Sequence, residues 1–337
     1  MAMRFFKKFV LTIILLFALG NVSIAEAPVQ KVQQAEVKLR PFSQGAPNLV
    51  FDHDVSGILG ADDEYTLTLS KFDYAAKYRS DKPLTPAERS GAFKDALDKY
   101  SPANIEKLRK AFDMVFVEMK GMNVKLPETI HIFSEQRIEA GAAYTRANSI
   151  CMPKRVVDFS GMNELRDLAA HEIFHVISRY NTELRTPIYN TLGFKQVGPL
   201  VLTGELANRT IANPDAPENT YAITCTLDGK SHEFMPILYS KQDFPKGGGS
   251  FFRFLNDDLI AVEIKDGKPV ALEREGKPFI VKKEELDNYF HQIGKNTDYT
   301  FHPEETSADH FKQLLFWDVI KLPNPEKIEA LGKILRK

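Results

Sequence analysis

The sequence predicts an α+β fold, and three observations carry that expectation. Apolar residues recur at helical spacing behind recognisable caps at residues 85–121, 165–180 and 303–320; short β-patterned runs lie between those helices; and from about 181 to 283 prolines and Gly-containing turns cut the chain into strand-length pieces. Of 337 residues, 43% are hydrophobic and 26% charged, a balance that excludes wholesale disorder and leaves ample material for a core.

The start of the chain has a different character. Arg4, Lys7 and Lys8 precede an uncharged apolar run from Phe9 to Gly20, too short for the roughly 20 residues that span a bilayer. Ser23 and Ala25 offer small residues at −3 and −1, so residues 1–25 are expected to be a signal peptide cleaved after Ala25; the alternative is an uncleaved N-terminal anchor. No cysteine lies in or just after the run, which excludes a lipid-modified N-terminus. An exported protein, secreted or periplasmic and without a membrane span once cleaved, is the expectation. Losing residues 1–25 removes three positive charges and no negative ones, moving the formal net charge from −1 to −4, so there is no basic footprint for nucleic acid. Cys151 and Cys225 both fall in the exported part, where they form either one disulfide or two buried thiols.

Residues 26–50 are polar and turn-rich and read as a poorly ordered lead-in. The acidic cluster Asp52, Asp54, Asp62, Asp63 and Glu64 does not fit a calcium loop and reads as solvated surface. Tyr65 to Leu69 is a short alternating run. Thr85-Pro86-Ala87-Glu88 supplies a helix start, with Thr at the cap, Pro in the first turn and Glu three residues on, so a helix is expected to about Tyr100. A second follows from Ser101 to about Gly121, with Ile105, Leu108, Phe112, Val115, Phe116 and Met119 on one stripe. Pro127 to Phe133 and Ala143 to Met152 read as extended segments. With the helix that follows they compose a mixed α/β unit over about 51–180. The stretch 181–283 is expected to be a β-rich insertion, with strands at 251–255, 259–264 and 270–273 and turns at Asp266-Gly267 and Glu275-Gly276. No linker composition separates it, so 51–337 reads as one domain.

The chemistry concentrates between Leu168 and Tyr180, where His171 and His175 stand four residues apart. At 3.6 residues per turn both imidazoles project from one helix face and can share a Zn²⁺, while Glu172, rotated about 100°, stands beside the metal as a general base for its water. The same spacing arises by accident on ordinary amphipathic helices, but Leu165, Leu168, Ala169, Phe174, Val176 and Ile177 make this helix apolar over much of its circumference, and buried histidines need partners. The extended form of the motif is absent, since Ser178 and Asn181 stand where its glycine and third histidine would be. The third ligand is sought in the helix opened by His302 and Pro303, where Glu305 and Asp309 share a face. Glu304, whose i+4 neighbour is Ala308, and Glu205, whose i+4 neighbour is Arg209, are weaker candidates; an acidic first turn suits the helix dipole whatever its function.

Taken with the preceding strand, these two helices resemble the gluzincins, the thermolysin-like zinc peptidases. The resemblance implies a zincin-like core, a mixed sheet with an edge strand that pairs with substrate, and one Zn²⁺ held by His171, His175 and Glu305, with Asp309 hydrogen-bonding a ligand histidine. It covers only those segments. The 130 positions between His175 and Glu305 exceed the separation in thermolysin and require the β-rich insertion. This class stabilises its transition state with Tyr or His, for which Tyr299, His302 and Tyr221 are candidates. What the resemblance implies is a peptidase acting on a peptide or protein substrate; a catalytically silent binding module of the same fold and a zinc hydrolase of a non-peptide bond are the alternatives.

Overall fold

The computed structural model describes residues 37–51 and 53–337. The expected signal peptide, and the lead-in as far as residue 36, lie outside the described residues. What is described is a mixed α+β fold built on two main sheets. In the first, strands Asn48–Phe51, Thr129–Glu135 and Ser149–Cys151 run parallel, and Tyr144–Arg146 closes one side antiparallel to Ser149–Cys151. Side chains alternate across it. Ile130, Ile132 and Ile150 face the main core beneath helices Pro102–Glu118 and Met162–Tyr180, while Phe133, Tyr144 and Cys151 face Val55, Leu59 and Phe93 on the other side.

Several expectations change here. The lead-in is ordered over its described part: Leu39–Pro41 pairs with Lys125–Pro127, and Asn48–Phe51 joins the sheet, because Phe42 and Leu49 have core to bury against. Tyr65–Leu69 is no strand but a 3₁₀ turn at Thr66–Thr68, held by reciprocal Asp63–Thr66 bonds at 2.8 Å. Asp63, expected at a solvated surface, is buried against Arg146 at 2.6 Å. The helix capped by Thr85 ends at Ala96, since Leu97–Asp98 turns to pair with Ser134 and Glu135.

The region from 181 opens with a helix, Thr182–Asn190, that tolerates Pro187 inside it. Then comes the second sheet, antiparallel, ordered Lys268–Ala271, Asn256–Lys265, Lys230–Tyr239, Tyr221–Leu227, Phe194–Gln196, with Ile280–Val281 also on Asn256–Lys265. The Asp266-Gly267 turn has φ of 49° and 76°, the positive pair that a two-residue hairpin requires. The strand expected at 251–255 is a 3₁₀ turn, Phe251–Arg253, whose Phe251 packs with Phe72 and Ile211. Cys151 and Cys225 are both buried and free. Among the described residues no helix is long and apolar enough to cross a membrane.

Helix Pro303–Phe316 packs along Met162–Tyr180 through Phe311 on Phe174, ring centroids 5.7 Å apart. It stops at Trp317, short of the expected Ile320, which lies exposed in a separate turn.

Candidate metal centre

The histidine helix, Met162–Tyr180, is buried continuously from Ala169 to Ser178, so its polar residues must find partners inside the protein. The glutamate helix, Pro303–Phe316, brings them. His302 caps it by accepting from the Glu304 amide at 3.1 Å, Pro303 needs no amide donor in the first turn, and Glu304 and Glu305 follow at its positive end.

The contacts between the two helices are specific. His171 Nδ1 is 3.0 Å from Asp309 Oδ1, and His175 Nδ1 is 2.8 Å from Glu304 Oε1. Ionised carboxylates only accept, so both Nδ1 atoms donate, and whenever the rings are neutral both Nε2 atoms carry the lone pair that a metal needs. Those Nε2 atoms face one oxygen, Glu305 Oε2, at 3.2 Å from His171 and 3.7 Å from His175. Glu305 is itself fixed by Asn213 Nδ2, which donates to Oε1 at 2.6 Å. The three ligand atoms lie within 4.8 Å of one another, and His175 Nε2 is buried with no hydrogen-bond partner. A divalent cation bound by two imidazoles and a carboxylate fits that donor set and accounts for the orphaned nitrogen.

Glu304 corrects an expectation. It is more than an acidic residue at a helix start: besides His175, it accepts from Ser178 Oγ at 2.7 Å and from the Tyr189 hydroxyl. Burial pushes its carboxyl up, but the His175 bond and charge hold it below the usual carboxylate range. Glu205 lies far from this centre in character, its side chain exposed and paired with Arg209 at 3.2 Å.

Charge is strongly organised. Burial disfavours a charged imidazole, yet the Asp309 and Glu305 carboxylates raise His171 to about 10, and Asp215, Glu305 and Glu304 raise His175 to about 9. Burial likewise opposes ionisation of Glu305, but the two histidines win and bring it to about 2. The carboxylates therefore favour positive charge between them, whether carried by protonated imidazoles or by a cation held on neutral ones. Glu172 is buried, and desolvation raises its carboxyl above the usual range; its Oε2 accepts from Thr145 Oγ1 at 2.9 Å. Thr145 sits on the edge strand Tyr144–Arg146.

The centre opens into a cavity of about 670 Å³ lined by His171, Glu172, Glu305 and Tyr299 and, farther out, by Ile211, Leu238 and Phe251. The Tyr299 ring stands edge-on to His171 with centroids 5.7 Å apart, half exposed. His302 does not reach that cavity: its ring is committed to capping and lines a separate cavity with Glu304, while Tyr221 bonds Thr186 at 2.8 Å. Sequence reasoning missed Thr145, Asn213, Asp215, Tyr189 and the role of Glu304. The only signal for the second and third was the proline-bracketed run Asn213 to Glu218, which marks a constrained loop and nothing more. No family model, curated protein or solved structure matches this chain.

Proposed function

We propose that this protein is an exported zinc peptidase with a zincin-like core of gluzincin type, in which His171, His175 and Glu305 hold one Zn²⁺ and Glu172 is the general base. The observation that carries the reading is the pairing of each ligand histidine, through Nδ1, with its own carboxylate, which leaves two Nε2 atoms and one carboxylate oxygen converging beside a buried glutamate. Bound there, Zn²⁺ would supply Lewis acidity that polarises a scissile carbonyl and acidifies a water.

The chain's own residues do the rest. Asp309 and Glu304 fix the tautomer and ring orientation of His171 and His175. Asn213 turns Glu305 so that Oε2 faces the histidines. Glu172, its basicity raised by burial and its orientation set by Thr145 at Oε2, accepts a proton on its carboxylate and delivers it to the leaving amine. Tyr299 presents a phenol at the cavity wall as the candidate donor to a developing oxyanion. A protein that merely kept the fold as a binding module has no use for a buried, desolvated glutamate at that place, which favours the enzyme over the silent reading. Elemental analysis of purified protein tests the proposal: about one zinc per chain is expected, and a protein that takes up none in zinc-containing buffer refutes it.

A further inference from the structure

The segment Asn213–Glu218 crosses the cleft as a strap and touches three walls of the centre. Asn213 donates to Glu305, Arg179 Nη2 donates to the Pro214 carbonyl at 3.0 Å, and Asp215 Oδ1 accepts from the Thr145 amide of the edge strand at 2.6 Å. On one side lies the cavity with His171, Glu172 and Tyr299; on the other lies the smaller cavity of about 240 Å³ with Arg179 and Glu304. Asp215 lines both, so it is the partition between them.

The chain leading into the strap is firmly anchored. Ser70 Oγ donates to the Thr210 carbonyl at 2.6 Å, Lys77 Nζ to the Ala212 carbonyl at 2.9 Å, and the Ala212 amide donates to Asp73 at 3.1 Å. Lys77 and Asp73 are themselves buried side chains, and Lys77 pairs with both Asp73 at 3.6 Å and Glu139 at 2.8 Å. Pro214 and Pro217 restrict the backbone further. An extended peptide adding to the edge strand therefore meets the Thr145 amide already taken, and its backbone has to end at Asp215.

Charge says which end. Among the described residues no lysine or arginine pairs with Asp215, and its carboxylate lies within metal-ligand reach of Glu172 and His175. Two carboxyl groups, Glu172 and Asp215, thus stand side by side at the closed end, which makes it acidic rather than basic. Lys312, the cation in the lining of the larger cavity, is already bonded to Asp309 at 2.6 Å. A terminal carboxylate would find repulsion there, and a terminal ammonium would find its counter-ion.

Resting on the peptidase reading, we infer that the site takes substrates with a free α-amino group, held by Asp215 at the strap, and so removes residues from the amino end of peptides. Asp215 is then a substrate-binding residue and not a metal ligand.

The test measures binding of two probes to the zinc-loaded mature protein by calorimetry: leucine hydroxamate, with a free amine, and N-acetyl-leucine hydroxamate, without one. The free-amine probe should bind about 10- to 100-fold tighter, as a charge-assisted bond to a half-buried carboxylate provides. Asp215→Asn keeps an acceptor for the Thr145 amide and should erase that advantage while retaining zinc and the affinity for the acetylated probe. Equal or tighter binding of the acetylated probe to wild type overturns the inference, since the cleft would then be open past the strap. Loss of zinc from the Asp215→Asn protein overturns it differently, by making Asp215 a ligand. A wild-type protein that holds no zinc instead removes the underlying peptidase reading.

Discussion

Glu304→Ala is the perturbation that separates this structure from an expectation based on helix dipoles. A dipole role at an exposed first turn is worth a few tenths of a kcal/mol to about 1 kcal/mol. The structure instead shows three donors converging on this carboxylate: His175 Nδ1, Ser178 Oγ and the Tyr189 hydroxyl, all buried. Leaving a buried donor unsatisfied costs roughly 1–3 kcal/mol, so even the low end gives a loss of about 3 kcal/mol, a large part of a typical 5–15 kcal/mol. The ring of His175 also loses its orientation, which should weaken zinc by about 10- to 100-fold. Glu304→Gln keeps an oxygen for His175 and lets the two hydroxyls turn around to accept from its amide, so it should be clearly milder. Urea titration of the metal-free protein reads the first effect, and chelator competition reads the second. A Glu304→Ala protein within about 0.5 kcal/mol of wild type, with unchanged zinc affinity, would show that the His175 contact has no energetic weight.

Three further outcomes are expected. Glu305→Ala should abolish stable zinc binding, and Asp309→Ala should weaken it by about 10- to 100-fold, both by chelator competition; equal affinities in the two variants would contradict the assignment of ligand and orienter. His302 and His310 are buried and held down to about 4 from an ordinary 6.5. Between those values the unfolded chain binds protons that the folded one refuses, so stability falls as pH drops from 6.5 towards 4, by on the order of 3 kcal/mol per histidine. Urea midpoints recorded across that window should decline steeply and should flatten in His310→Gln; a wild-type profile that is level from pH 7 to 4 would refute the burial argument. N-terminal sequencing of exported protein should begin at Glu26, and a protein retaining Met1 would refute cleavage.

Much of the centre could be read in the sequence because it depends on local spacing. His171 and His175 share a helix face by periodicity alone, Glu305 and Asp309 do the same, and the caps Thr85 and Ser101 and the first-turn Pro303 mark helix starts that the structure contains. What local spacing cannot supply is which neighbour a face meets. Glu304 points about 100° away from Glu305, a direction that on an isolated helix means solvent; here the crossing of the two helices turns it onto His175. Asp63 read as surface because its partner, Arg146, is 83 residues away, and the same distance effect hid Asn213 and Asp215, whose contacts reach Glu305 and Thr145 across 92 and 70 residues. The Phe251 segment had strand composition, but its aromatic side chains found a cluster with Phe72 and Ile211, and that packing outweighed propensity.

The central claim is that Glu172 works as a base beside a metal. Digestion of a mixed peptide library by zinc-loaded wild type and Glu172→Gln tests it most directly, because the substitution preserves volume and leaves His171, His175 and Glu305 untouched. The account predicts about one zinc per chain in both proteins, cleavage by wild type, and a loss of roughly 10²- to 10⁴-fold in the variant. Cleavage that continues undiminished in Glu172→Gln would contradict it.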